Sequence, residues 1–75
     1  METVYVVLDG RDLIWLRNED GSGALAYPEH IDEDGEVRME AVFKDSYAHV
    51  FPNGEIMRFN QRIGSRDDLK LREAK

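Results

Sequence analysis

Thr3 to Arg17 reads TVYVVLDGRDLIWLR, and this stretch decides the fold. Two runs rich in β-branched, aromatic and other apolar residues flank Asp9-Gly10, a dipeptide that favours a two-residue type I′ turn between antiparallel strands. Such a turn places Val4, Val6, Leu13 and Trp15 on one face and pairs Glu2 with Arg17 at the far end. The register that follows from the turn is Leu8–Arg11, Val6–Leu13, Val4–Trp15 and Glu2–Arg17.

A second hairpin is predicted where Tyr47–Phe51 and Glu55–Asn60 flank Pro52-Asn53-Gly54. A two-residue loop would put Pro52 at a ladder position that needs an N–H group. A three-residue loop instead places Pro52 at the second position of a type I turn and Gly54 at the left-handed position. The pairs that follow are Val50–Ile56, His49–Met57, Ala48–Arg58 and Tyr47–Phe59.

The intervening residues continue the β pattern. Asn18–Gly23 is predicted as a turn, Ala24–Tyr27 as a short strand and Pro28–Gly35 as an acidic loop. Glu36–Phe43 alternates between apolar and charged residues, which predicts a half-buried strand with Val37, Met39, Ala41 and Phe43 on one face.

The C-terminal residues fit two structures. Ser65-Arg66-Asp67-Asp68 fits a helix capping box, with Asp in place of Glu, whereas Leu69 and Leu71 alternate with charged residues as in an edge strand. We therefore expect a single helical turn followed by a frayed or edge-paired end through Lys75.

These elements predict a single small β domain over residues 1–75. We expect a mainly β fold, a small antiparallel sheet of five to six strands curled into a partly open SH3-like barrel, with one short C-terminal helical turn. A meander packed under one short helix is the alternative. The aromatic residues expected in the core are Tyr5, Trp15, Phe43, Phe51 and Phe59.

Composition excludes several classes of protein. The 75 residues contain no cysteine, which excludes disulfides, thiol nucleophiles and thiolate metal sites. The longest apolar run is Val4–Leu8, too short to cross a membrane, and no secretory signal is visible, so a cytoplasmic location is expected. Ser22, Ser46 and Ser65 lack a nucleophile motif, and a chain of this size has little room for a water-excluding cleft. We therefore expect no enzymatic activity and no cofactor.

Negative charge is concentrated in the middle of the chain. The net charge is −6, from 10 basic and 16 acidic residues. Between Glu19 and Glu40 there are eight acids and one base, Arg38, which gives −7 for that segment. The candidate partner-binding residues are Glu19, Asp20, Asp32, Glu33, Asp34, Glu36 and Glu40.

Asn18 to Glu29 resembles the calcium loop of EF-hand proteins. Oxygen-bearing side chains occupy the first, third and fifth positions, Gly23 the sixth and Glu29 the twelfth. Asn18 stands where that family has Asp, and the flanking residues are predicted as strands rather than helices. The resemblance implies a weak calcium site at most, and an ordinary hairpin turn accounts for the same letters.

Basic residues follow in the last third of the chain. Arg58, Arg62 and Arg66 recur every four residues near Phe59, a pattern that would suit single-stranded nucleic acid. The acidic middle makes direct nucleic-acid binding the less favoured function. The two histidines are spaced too far apart to suggest a metal site, and we expect His30 to be a loop residue and His49 to be partly buried.

The function best supported by the sequence is a non-catalytic interaction protein. Its acidic residues would dock on a basic surface of a partner protein, with carboxylates taking the place of phosphates. Small acidic inhibitors encoded by phages, including DNA mimics and anti-CRISPR proteins, resemble this chain in size and charge. A monomer and a homodimer paired through strand edges both remain open.

Overall fold

The first hairpin is confirmed in its predicted register. The computed structural model describes residues 1–72, and in it β1 (Glu2–Leu8) pairs antiparallel with β2 (Arg11–Arg17) from Glu2–Arg17 to Leu8–Arg11. Asp9 and Gly10 have φ angles of 52° and 77°. Both turn residues therefore adopt the positive φ that a type I′ turn requires.

Within residues 1–72, seven strands form one antiparallel sheet, more than the five to six predicted. The order across the sheet is β6-β5-β4-β3-β2-β1-β7. The remaining strands are β3 (Gly23–Ala26), β4 (Ala48–Val50), β5 (Glu55–Arg58), β6 (Gln61–Ser65) and β7 (Lys70–Leu71). Short 3₁₀ turns cover Pro28–His30 and Arg66–Asp68, and an α-helix, α1, covers Met39–Lys44.

The loop and two of the four predicted pairs of the second hairpin are confirmed, whereas the predicted Ala48–Arg58 and Tyr47–Phe59 pairs are not formed. β4 pairs with β5 through Val50–Ile56 and His49–Met57, and Gly54 has a φ of 94° as the three-residue loop requires. The ladder contains only these two pairs, because Phe59 and Asn60 form the next turn with φ angles of 52° and 66°. That turn leads into β6, a strand that the sequence analysis did not predict.

The sheet must be strongly curled, because β6 and β7 lie at its opposite edges yet are joined by only four residues. Six strand spacings of about 4.8 Å would separate the edges of a flat sheet by about 29 Å. The chain from Ser65 to Lys70 spans at most about 18 Å. Curling into a half-barrel brings the two edges within reach of this connection.

The inner face of the half-barrel holds the main core. It contains the predicted inward face of the first hairpin together with apolar side chains of β3, β4 and β5. The most buried large residues of this face are Val6, Leu13, Leu25 and Ile56, all with no exposed surface. Trp15 belongs to the same cluster, as predicted.

The outer face of β2 is buried as well. Ile14 and Leu16 are 1% and 2% exposed because α1 covers them through Val42. The predicted strand over Glu36–Phe43 is therefore wrong: its C-terminal half is helical, and only Val37 pairs in an isolated bridge with Ile31. The sheet needs this cover, since the outward side chains of β2 are apolar.

The C-terminal prediction is confirmed as far as Arg72. The Ser65–Asp68 capping box is formed, with the Ser65 amide donating to Asp68 Oδ2 at 2.9 Å. β7 then pairs with the outer edge of β1 at Val6 and Val7. The part of the predicted end beyond Arg72, residues 73–75, lies outside the described residues. Within residues 1–72, no helix has the length and apolar character needed to cross a membrane.

Candidate partner-binding surface

The Asp32–Glu36 segment forms a tight acidic turn held by its own hydrogen bonds. The Asp32 amide donates to the Glu36 carbonyl at 2.9 Å, and the Gly35 amide donates to the Asp32 carbonyl at 3.0 Å. Oδ1 of Asp32 accepts from the amides of Asp34 and Glu36, both at 3.0 Å. The side chain of Asp32 thus shapes the turn, while Glu33, Asp34 and Glu36 extend into solvent.

The acidic turn stands on a structured base. Ile31 and Val37 pair across its base and pack on the outer core cluster. The Arg38 amide donates to the carbonyl of His30 at 2.7 Å, and His30 itself is only 8% exposed. These contacts hold the backbone of the acidic turn in position relative to the sheet.

Glu19 and Asp20 form a second acidic group in the Asn18–Gly23 turn. Asp20 Oδ1 accepts from the Ser22 amide at 2.9 Å and from its hydroxyl at 2.6 Å. These two bonds, with a smaller contribution from the positive charge of Arg66, lower the pKa of Asp20 below its ordinary value. The carboxylate of Asp20 therefore helps to hold its turn, and Glu19 beside it is exposed.

The structure brings together some of the predicted site residues and separates others. The Asn18–Gly23 turn precedes β3, whereas the Asp32–Glu36 turn follows the 3₁₀ turn beyond the other end of β3. Four predicted acids share the Asp32–Glu36 turn, Glu40 lies in the first turn of α1, and Glu19 and Asp20 are attached at the opposite end of β3. All seven are exposed.

The acidic segment, Glu19–Glu40, is not neutralised by ion pairs within residues 1–72. Three ion pairs occur among residues 1–72: Arg17 with Glu2, Arg62 with Glu55 at 3.6 Å, and Arg72 with Asp12 at 3.7 Å. The first is the opposite-charge pair predicted at the end of the hairpin. None of the three uses an acid between Glu19 and Glu40. Within residues 1–72 no ion pair neutralises those carboxylates, so they would attract a positively charged surface.

The oxygen ligands of the calcium-loop resemblance do not converge. Asp20 is engaged with Ser22 before β3, and Glu29 lies in the 3₁₀ turn after β3. Within residues 1–72, no three His, Asp or Glu side chains are close enough to hold a metal ion. The residues of this motif instead belong to a hairpin turn, a short strand and a 3₁₀ turn.

Arg58 and Arg62 of the predicted basic side make side-chain contacts within the chain, and Arg66 makes a backbone hydrogen bond. The Arg58 guanidinium lies over the rings of Tyr47 and Phe59, at 4.5 and 4.4 Å from their centroids. Arg62 pairs with Glu55, and Arg66 donates its amide to the Gly54 carbonyl at 2.6 Å. These contacts order the far edge of the sheet.

The two histidines differ in burial, and the prediction for His49 is wrong. His30, predicted as a loop residue, is buried with its ring edge-on to Tyr27 at 5.6 Å. His49, predicted to be partly buried, is exposed, so that expectation is wrong. Alternation in β4 explains the second case, because Ala48 and Val50 face the core and His49 lies between them.

Three phenylalanines predicted in the core are instead exposed. Phe43 is 81%, Phe51 47% and Phe59 82% exposed, whereas Trp15 is buried and Tyr5 half-buried. Phe43 and Phe51 line the same groove beside α1. Sequence reasoning missed this groove, and the i, i+3, i+4 spacing of Met39, Val42 and Phe43 is the signal that would have indicated a helix there.

Comparison with known proteins finds no matching family, no matching curated protein and no matching solved structure. Function is therefore inferred from the residues and geometry of this chain.

Proposed function

We propose that this chain is a non-catalytic protein-binding module whose acidic turn, Asp32–Glu36, docks on a basic surface of a partner protein. The supporting observation is that the turn gathers four exposed carboxylates, none of them in an ion pair within residues 1–72. Glu40 adds a fifth carboxylate from the first turn of α1.

A rigid acidic turn suits electrostatic docking for two reasons. The hydrogen bonds of Asp32 fix the backbone before binding, so little conformational entropy is lost on association. The unpaired charges also attract a basic surface over about one Debye length, about 8 Å at physiological ionic strength, and so speed its capture.

The class of partner follows from the same charges. Basic protein surfaces that receive phosphate groups accept carboxylates in a similar arrangement, which is the basis of inhibition by DNA mimics. An inhibitor that occupies a nucleic-acid-binding surface of its partner, such as a phage-encoded anti-defence protein, is the form of the function we favour. The SH3-like part of the fold prediction stays a prediction, and docking through the turn does not require it.

The test uses two doubly substituted chains with the same net charge. Glu33→Gln/Asp34→Asn removes two carboxylates that make no hydrogen bond within residues 1–72, and Asp9→Asn/Asp67→Asn removes two exposed carboxylates far from the turn in sequence. Each chain is immobilised, exposed to a lysate of its source cells, washed, and eluted with a salt gradient before mass spectrometry.

We expect the unchanged chain and the Asp9/Asp67 variant to retain the same basic protein, and salt to release it. The Glu33/Asp34 variant should bind that protein about tenfold more weakly, since each interfacial charge pair contributes about 0.5–1 kcal/mol. Equal retention by both variants, or a dissociation constant independent of salt, would contradict docking through this turn.

A further inference from the structure

An apolar groove of about 580 Å³ lies beside α1, at the end of the sheet where the Asn18–Gly23 turn is found. α1 contributes Met39, Val42 and Phe43 to it, and the ends of β2 and β4 contribute Leu16 and Val50. Phe51, directly after β4, completes the apolar lining. The groove is large enough to hold more than one side chain of a ligand.

Its two phenylalanines are far more exposed than core residues. Phe43 is 81% and Phe51 47% exposed, while Val42 beside them is 3% exposed. Within residues 1–72 no further segment covers the groove. Concave apolar surface of this kind is typical of a site that is covered by a binding partner.

Asp20 lies at the rim of this groove, and Glu40 is adjacent in sequence to one of its lining residues. Ser22, which lines it, donates its hydroxyl to the Asp20 carboxylate at 2.6 Å, and Glu40 directly follows the lining residue Met39. The segment from Ile31 to Ser46, which leads into α1 and along the groove, has six acids and two bases, a net charge of −4. The electrostatic surroundings therefore favour a positively charged occupant over a negatively charged one.

We infer that the groove receives apolar side chains of a basic protein segment, so that lysines or arginines of that segment meet the acidic rim and the Asp32–Glu36 turn. This inference rests on the proposed function, because the same partner supplies both the positive charges and the apolar side chains. A second copy of this chain is the less suitable occupant, since two molecules each with a net charge of −6 repel one another.

The exposed phenylalanines offer a matched pair of variants. Phe43→Ala removes a ring that lines the groove, and Phe59→Ala removes a ring of equal exposure, 82%, that lies outside it. Neither ring packs in the core, so both variants should keep the fold even though Phe59→Ala also loses the contact with Arg58; circular dichroism would verify this.

Three synthetic peptides serve as probes in fluorescence anisotropy. The first is an amphipathic peptide of leucine and lysine; the second has glutamine in place of leucine; the third has glutamate in place of lysine. We expect the unchanged chain to bind the leucine–lysine peptide at least about tenfold more tightly than either of the other two. Phe43→Ala should weaken that binding about tenfold, and Phe59→Ala should leave it within about twofold.

The variants separate the groove from the proposed function. Equal affinity of the Phe43→Ala and unchanged chains for the leucine–lysine peptide, or failure to bind it, would overturn the groove assignment. Binding weakened by Glu33→Gln/Asp34→Asn but not by Phe43→Ala would leave docking through the acidic turn intact without the groove. Binding weakened by Phe43→Ala but not by Glu33→Gln/Asp34→Asn would contradict docking through the acidic turn and would support the groove as an apolar site. A dimer in sedimentation velocity that Phe43→Ala dissociates would show that the occupant is a second copy.

Discussion

Gly23 lies directly against the carbonyl oxygen of Leu16, so closely that a Cβ atom at position 23 would overlap that oxygen. Gly23 also has a φ of 145°, a conformation that residues with a side chain rarely adopt. It pairs with Arg17 on one side and with Val50 on the other, so the close approach lies where β2, β3 and β4 meet.

Gly23→Ala should therefore destabilise the fold severely. We expect a loss of about 3 kcal/mol or more, because the contact is with backbone that cannot move without breaking the ladder. Gly10→Ala is the control: its φ is 77° but no atom lies within 4 Å of the added Cβ, so only the backbone conformation is penalised, by about 1 kcal/mol. Urea denaturation of both variants would measure the difference, and equal losses would contradict the steric explanation.

The stacked position of Arg58 between Tyr47 and Phe59 predicts that lysine cannot replace it. Arg58→Lys keeps the positive charge but loses the planar group over both rings, so the free energy of unfolding should fall by about 1 kcal/mol. Arg62→Lys, at the exposed pair with Glu55, should change it by less than about 0.5 kcal/mol. Thermal denaturation of the two variants would show whether Arg58 is the more sensitive position.

The capping box predicts different effects at two neighbouring aspartates. Asp68→Ala removes the acceptor of the Ser65 amide and should destabilise the chain by about 0.5–1 kcal/mol. Asp67→Ala removes a carboxylate with no hydrogen bond to the rest of residues 1–72 and should have a smaller effect. A comparison of their denaturation midpoints would test this order, and a larger loss for Asp67→Ala would contradict it.

The lowered pKa of Asp20 predicts that the free energy of unfolding depends on pH in the acidic range. Hydrogen bonds from Ser22, with a smaller contribution from Arg66, hold the pKa of Asp20 below its ordinary value in the folded chain. Its stabilising contribution is therefore complete above the ordinary pKa and is lost as the pH falls through the lowered pKa. Titration followed by NMR should show that Ser22→Ala raises the pKa of Asp20 toward its ordinary value. An unchanged pKa in that variant would show that the hydrogen bond from the Ser22 hydroxyl is not its cause.

Local sequence predicted those elements in which neighbouring residues all favour one structure. Asp9-Gly10 fixes the register of the first hairpin, and Pro52 with Gly54 fixes that of the second. β6 was missed because Gln61–Ser65 contains one large apolar side chain, Ile63, and no alternation, and because the turn before it uses Phe59 and Asn60 with positive φ. Asn60 tolerates positive φ, but Phe59 does not favour it, so strand pairing imposes this conformation on Phe59.

The segment around α1 shows why the alternation of apolar and charged residues led to a wrong prediction of a strand. Val37, Met39, Ala41 and Phe43 fit a period of two, but Met39, Val42 and Phe43 fit a helix equally well. Ile14 and Leu16 on the outer face of β2 need an apolar cover, and a helix supplies it through Val42. Once Val42 faces the sheet, the side chain of Phe43 is left at the groove instead of in the core.

The sequence by itself determined the two hairpins, the capping box and the concentration of carboxylates between Glu19 and Glu40, because each depends on residues close together in the chain. Only the tertiary structure decided that β3 separates Glu19 and Asp20 from the Asp32–Glu36 turn, and that Phe43 and Phe51 line one groove. Those placements depend on which distant strands pair and on which face of the sheet needs cover, and both are set by the burial of apolar surface across the whole chain.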